Sequence, residues 1–247
     1  MAACPKQDLS RLCYNEQDEA LACERRGKAM AKKLNRIQDE REYGEEEQTI
    51  FNEYRNAFQT PVCSSLLLAP GLNNSELIQS AWLLVKSMTK EGSFTPTMVQ
   101  MILFTTSVFG GNSYCINLHA NVAIATDSHL NPDTLISLIN DIAGNEKCNL
   151  PNKTIETIRL AVKVMFQDNS IDIHENLTEF GYSEADIDIF ASIVTGGVFF
   201  NTIFKLYEVP EDALSTTPFS KNQLTQIKQI AGQYHEALAS NSQSLSK

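Results

Sequence analysis

Basic side chains are scarce in this chain. Twenty lysines and arginines stand against 30 acids among 247 residues, which gives a formal net charge of −10. That balance repels phosphate backbones and anionic headgroups, so neither nucleic acid nor a membrane surface is an expected partner. Long uninterrupted apolar runs are also missing: Ser80 to Val85 is too short to cross a bilayer, and Ile189 to Phe204 is interrupted by polar residues. The opening residues Met1 to Asp8 hold no apolar leader, and six cysteines in no regular framework read as thiols of a reducing compartment, so a cytoplasmic protein is expected. Strand-type alternation between turn signals is scarce, and so are glycine and proline, at 11 and 8. No serine sits in a nucleophile elbow and no glycine loop is built for phosphate, so no cofactor is expected.

What remains is a hydrophobic fraction of 43%, enough for a real core, patterned at helical spacing. The chain divides at about residue 60. Residues 1–60 form a densely charged extension, in which Met30, Leu34 and Ile37 mark one thin apolar edge. Gly44 then precedes three glutamates and the stripe Ile50, Phe51, Tyr54 and Phe58. This arm is read as packing on the body, with an oligomerisation or partner role as the alternative. Residues 61–247 read as successive helices. Start signals stand at Ser75, Thr95-Pro96, Asn112, Asn131-Pro132, Leu150-Pro151, Ser170, Ser183 and Ser220. The fold class is therefore all-α. Two glycine pairs, Gly110-Gly111 and Gly196-Gly197, hint at two related helical units.

One pair of residues carries chemistry. Cys115 and His119 are four apart and so share a helix face. A thiol must lose its proton to attack an electrophile, and imidazole can accept that proton. With Asn112 as cap, Cys115 falls in the first helical turn, where free N–H groups and the helix dipole lower a thiol pKa. A metal site is not expected, since only His129 is near enough in sequence to add a ligand. His174 and His235 read as surface residues, Trp82 reads as core, and Cys4, Cys13 and Cys23 lie in the polar arm with no interpretable spacing.

Around this pair, Asn112-Ser113-Tyr114-Cys115-Ile116-Asn117-Leu118-His119 resembles the Cys-x-x-Cys-x-x-x-His helix of the carboxymuconolactone decarboxylase-like, alkylhydroperoxidase D-like family, especially its peroxidase-related branch. Other segments are similar in the same order: Leu66 to Leu72, Leu150 to Val164, Phe180 to Ile187, and Phe199 through Pro210. The likeness covers roughly 62–214. It implies an alkylhydroperoxidase-like helical bundle that assembles as a homo-oligomer of two, three or six copies. It also implies peroxide or a small organic molecule as substrate, and an external thiol as reductant. In such proteins the retained cysteine attacks peroxide, a second cysteine resolves the sulfenic acid, and a glutamate assists the histidine. Here the first cysteine is replaced by Asn112 and the glutamate position holds Gln100, which cannot accept a proton near neutral pH. The expectation is a one-cysteine peroxidase-type oxidoreductase with Cys115 as nucleophile and His119 as proton acceptor. Gln100, Asn112 and Tyr114 would be its pocket residues, and Cys63 or Cys148 are candidate remote resolving thiols. Two alternatives stand beside it: a catalytically degenerate helical scaffold or binding protein, and a decarboxylase- or isomerase-like acid–base enzyme using His119.

Overall fold

The structure is a computed structural model, which describes residues 43–58, 75–166, 172–207, 209 and 215–244. The Met30-Leu34-Ile37 edge, Cys4, Cys13, Cys23, Cys63 and the Leu66 to Leu72 segment lie outside the described residues. Among the described residues there are nine α-helices and no strand. They are α1 (Glu45–Phe58), α2 (Ser75–Met88), α3 (Pro96–Gly110), α4 (Ser113–Thr126), α5 (Pro132–Ile142), α6 (Asn152–Met165), α7 (Ile173–Glu179), α8 (Glu184–Tyr207) and α9 (Lys221–Ser244).

The caps explain most of the boundaries. Thr95 and Asn131 each accept a hydrogen bond from the backbone two or three residues into their helices, with proline at the first helical position. Ser220 and Gln223 bond each other's backbone N–H groups, a reciprocal cap on α9. α7 is capped by Asp172, which accepts from Glu175 N at 2.9 Å, and the suggested start signal Ser170 lies outside the described residues.

At the centre lies α3, which is apolar all round. From Met98 to Phe109 every residue except Gln100 is buried, the signature of a helix enclosed by neighbours rather than laid on a surface. The two-residue link Gly111-Asn112 folds α4 back against it, and α6, α8 and α9 pack on its other sides. α2 lies on α8, and α1 lies on α2. The described part of the N-terminal arm thus packs on the body. Phe51 is fully buried, and Glu53 receives the Trp82 indole N–H at 2.6 Å. Trp82 is core, as its sequence context suggested.

The two glycine pairs have different roles. Gly111 adopts φ 68°, a left-handed conformation that ends α3 at little steric cost. Gly196 and Gly197 interrupt nothing; α8 runs through them for 24 residues. A Cβ on Gly196 would overlap Met88 Sδ, so the missing side chain lets α2 approach α8 closely. By length and composition α8 could also cross a membrane, with a mean hydropathy of 1.6, more than the interrupted run Ile189 to Phe204 suggested. Over half of that window is buried within the protein, as for a core helix.

Candidate functional site

The α3–α4 hairpin brings Gln100, Ser107, Cys115 and His119 to one cavity of about 90 Å³. α3 contributes Gln100 and Ser107, and α4 contributes Cys115 and His119, one turn apart. Phe200 and Gly197 of α8 form another wall. A Cβ on Gly197 would press on Thr106 Oγ1 at 3.1 Å and Leu103 Cδ2 at 3.3 Å, so this glycine keeps the wall thin. Among the described residues, no carboxylate, lysine or arginine lines the space.

Asn112 caps α4 as the sequence suggested: its Oδ1 accepts the backbone N–H of Cys115 at 3.1 Å, while its Nδ2 donates to the Asn201 carbonyl at 3.1 Å. It positions Cys115 through the backbone and does not itself line the cavity. Tyr114 also lies elsewhere. It is buried with its ring centroid 4.6 Å from that of Phe204, and it borders a separate cleft beside Lys205. Of the five residues singled out from sequence, the structure therefore brings Cys115, His119 and Gln100 together. Ser107 and the cavity's apolar walls were missed. The signal for Ser107 was its place on α3, which a helical hairpin folds opposite Cys115.

The ionisation of the pair runs against the sequence expectation. Cys115 is 1% exposed, and that burial pushes its thiol well above the ordinary cysteine range. A hydrogen bond with Ser107 opposes the shift but is outweighed. The capped first turn was expected to lower this pKa. Desolvation wins, because a thiolate here loses its water and meets no positive charge. Ser107 also has only one hydroxyl hydrogen, and it is given to the Leu103 carbonyl at 2.6 Å. With that bond in place the thiol donates to Ser107, and a thiolate would require the hydroxyl to turn.

His119 is likewise desolvated, which pulls its pKa down to about 3 and keeps the imidazole neutral at pH 7. Its Nδ1 lies 2.8 Å from Gln100 Oε1. That oxygen can only accept, so Nδ1 carries the hydrogen and Nε2 is left as the basic atom. Gln100 thus fixes the tautomer but supplies no charge to stabilise an imidazolium. Among the described residues no third histidine, cysteine or acid completes a metal cluster with this pair. Cys148 lies in the loop between α5 and α6 as a free, half-buried thiol and does not line the cavity.

The remaining histidines are structural or superficial. His174 is exposed and pairs with Glu184 at 3.0 Å. His235 has a defined task at the surface: its Nε2 donates to the Phe109 carbonyl at 2.9 Å, tying α9 to the C-terminal end of α3.

Comparison with solved structures finds a likeness of fold. The chain is similar to the crystal structure of an uncharacterized peroxidase-related protein from Silicibacter sp. TM1040, with a TM-score of 0.54 and 15% sequence identity. The similarity covers 71% of this chain and 90% of that one. At that identity it is a likeness of fold. No family model matches, and neither does any curated protein.

Proposed function

We propose that this protein is a single-cysteine peroxidase-type oxidoreductase of small hydroperoxides, with Cys115 as nucleophile and His119 as proton acceptor. The observation that supports it best is the cavity shared by Cys115, His119 and Gln100, with Gln100 engaging His119 Nδ1 and so leaving Nε2 unprotonated. The fold likeness to a peroxidase-related protein is consistent with it.

In the first step the thiol proton passes to His119 Nε2, and the sulfur attacks one peroxide oxygen. An S–O bond forms as the O–O bond breaks; sulfur is oxidised by two electrons and the peroxide is reduced. The departing alkoxide or hydroxide takes the proton from His119, which gives an alcohol or water and a sulfenic acid on Cys115. Asn112 provides no thiol within the motif, so an external thiol attacks the sulfenic sulfur and releases water. A second external thiol then displaces Cys115 as the free thiol and carries off the disulfide. Protein dimers, trimers or hexamers in a reducing compartment fit this reading, and light scattering on the purified chain tests the assembly.

Both ionisations are disfavoured by burial, so the expected enzyme is slow at neutral pH and accelerates as pH rises. Treatment with limiting hydrogen peroxide, followed by sulfenic-acid trapping and peptide mass analysis, should mark Cys115. An unmarked Cys115 across pH 6 to 9 sinks the reading. It would favour the second one, a helical binding or scaffold protein, whose motivating observation is the thiol held protonated by burial.

A further inference from the structure

The cavity's fourth wall includes one residue, Tyr54, from outside the segment with the family-like sequence. It consists of Tyr54 on α1 together with Val85, Met88 and Thr89 at the end of α2. Tyr54 is 7% exposed, with its ring centroid 6.0 Å from that of Trp82 at 63°. α1 is fastened to α2 along its length. Ser75 donates to Glu47, Gln79 donates to Glu46 at 3.2 Å, and both Trp82 and Lys86 donate to Glu53. Tyr43 closes edge-on against the buried Phe51 ring. Tyr54 is therefore held over the cavity by a row of contacts between α1 and α2.

We infer that α1 is the selectivity wall of the Cys115 cavity, and that Tyr54 restricts what reaches the thiol to hydrogen peroxide and short alkyl hydroperoxides. The cavity's 90 Å³ compares with the roughly 150 Å³ of an apolar protein cavity that accepts benzene. Its described lining is uncharged and largely apolar, which suits a small neutral oxidant, and its size excludes aryl or long-chain hydroperoxides. The identity of the oxidant rests on the peroxidase reading above; the size limit does not.

The test uses two thiol reagents with one warhead, methyl methanethiosulfonate and benzyl methanethiosulfonate, on the full chain. In each case the Cys115 thiolate attacks the sulfenyl sulfur, an S–S bond forms and methanesulfinate leaves. The ratio of the two rates therefore reports access, free of the thiol pKa. The rate is read at the Cys115 peptide by mass, with Cys148 as internal reference. The native protein should favour the methyl reagent at Cys115 far more than at Cys148. Tyr54→Ala should cut that preference by about 10-fold, within the range that shape alone gives an apolar pocket. Tyr54→Leu, which keeps apolar bulk on α1, should cut it less, and both should leave the Cys148 ratio unchanged. Circular dichroism selects the variants that keep their helix content, so unfolding is not counted as opening. An unchanged Cys115 ratio in whichever variant folds overturns the inference. A changed ratio without sulfenic acid on peroxide-treated native protein would instead retain the wall and sink the peroxidase reading.

Discussion

Asp186 and the Cys115–His119 pair all have little solvent exposure, at 6%, 1% and 9%, but Asp186 lies near the surface and the pair lies deep among the helices; Asp186 is held charged and the other two are held neutral. Asp186 lies in the first turn of α8, where four donors converge on its carboxylate. They are the backbone N–H and hydroxyl of Ser93, each at 2.8 Å, and those of Ser183, at 2.9 and 2.7 Å. The Ser93 N–H, followed by the Ser183 hydroxyl and N–H, drives the carboxyl pKa far below its ordinary value, and burial opposes this only weakly. The cavity has no such supply. Ser107 spends its hydrogen on Leu103, and Gln100 meets His119 with an acceptor. Depth of burial sets how strongly the charged form is disfavoured, and the donors or charges aimed at the group decide whether that is offset.

Breaking the donor-rich centre should have the largest effect. Asp186→Ala removes its half of the reciprocal Ser183–Asp186 cap on α8 and the anchor of the loop before α3 together, and should cost roughly 3 kcal/mol in urea unfolding. Asp186→Asn should cost less and should also flatten the acid limb. The native carboxyl pKa is depressed below 3.8, so its stabilisation is present above about pH 4 and is lost as pH falls below that.

His119 gives the second test. Its folded pKa of about 3 lies below the unfolded 6.5, so the unfolded chain takes up the proton first and stability falls with pH from about 6.5 towards 3. The loss should reach roughly 2 kcal/mol between pH 6.5 and 5. His119→Gln should remove this slope and leave the loss below pH 4 that belongs to Asp186. An unchanged slope would show that His119 is not desolvated in solution.

Gln100→Glu turns the donor-poor cavity into one with a charged partner. The carboxylate should stabilise the imidazolium and raise the His119 pKa by 1 to 2 units, roughly 1.4 to 3 kcal/mol of interaction partly offset by burying the new charge. The shift is read by NMR titration of the ring, and sulfenic-acid formation should quicken about tenfold if His119 is the proton acceptor. Finally, Cys115→Ala should cost about 1 kcal/mol near pH 7. Because the native thiol pKa is raised above 9.0, its stabilisation is intact below that pH and declines above it, and the variant should lack this alkaline decline.

The helical architecture was legible because its signals are local. Thr95-Pro96, Asn112, Asn131-Pro132 and Ser220 act as caps where the spacing put them, and the apolar periodicity located the helices between them. Gly196-Gly197 misled for the opposite reason: its meaning lies in Met88, over a hundred residues away in sequence, and nothing beside the pair reveals that neighbour. The Ser93–Asp186 link and the Tyr54 wall were hidden likewise. The site was legible in part. Spacing places Cys115 and His119 on one helix face, but assigning Tyr114 to the pocket failed because Phe204 of α8 takes up its ring.

The sequence by itself determined that the chain is helical, where α4 starts, and that Cys115 and His119 stand one turn apart on it. Only the tertiary structure decided that both are buried in one cavity with their charged forms disfavoured, since desolvation depends on the helices packed around a group. Cap and dipole act within one turn and point towards a reactive thiolate; the enclosing walls of α1, α2, α3 and α8 reverse that sign.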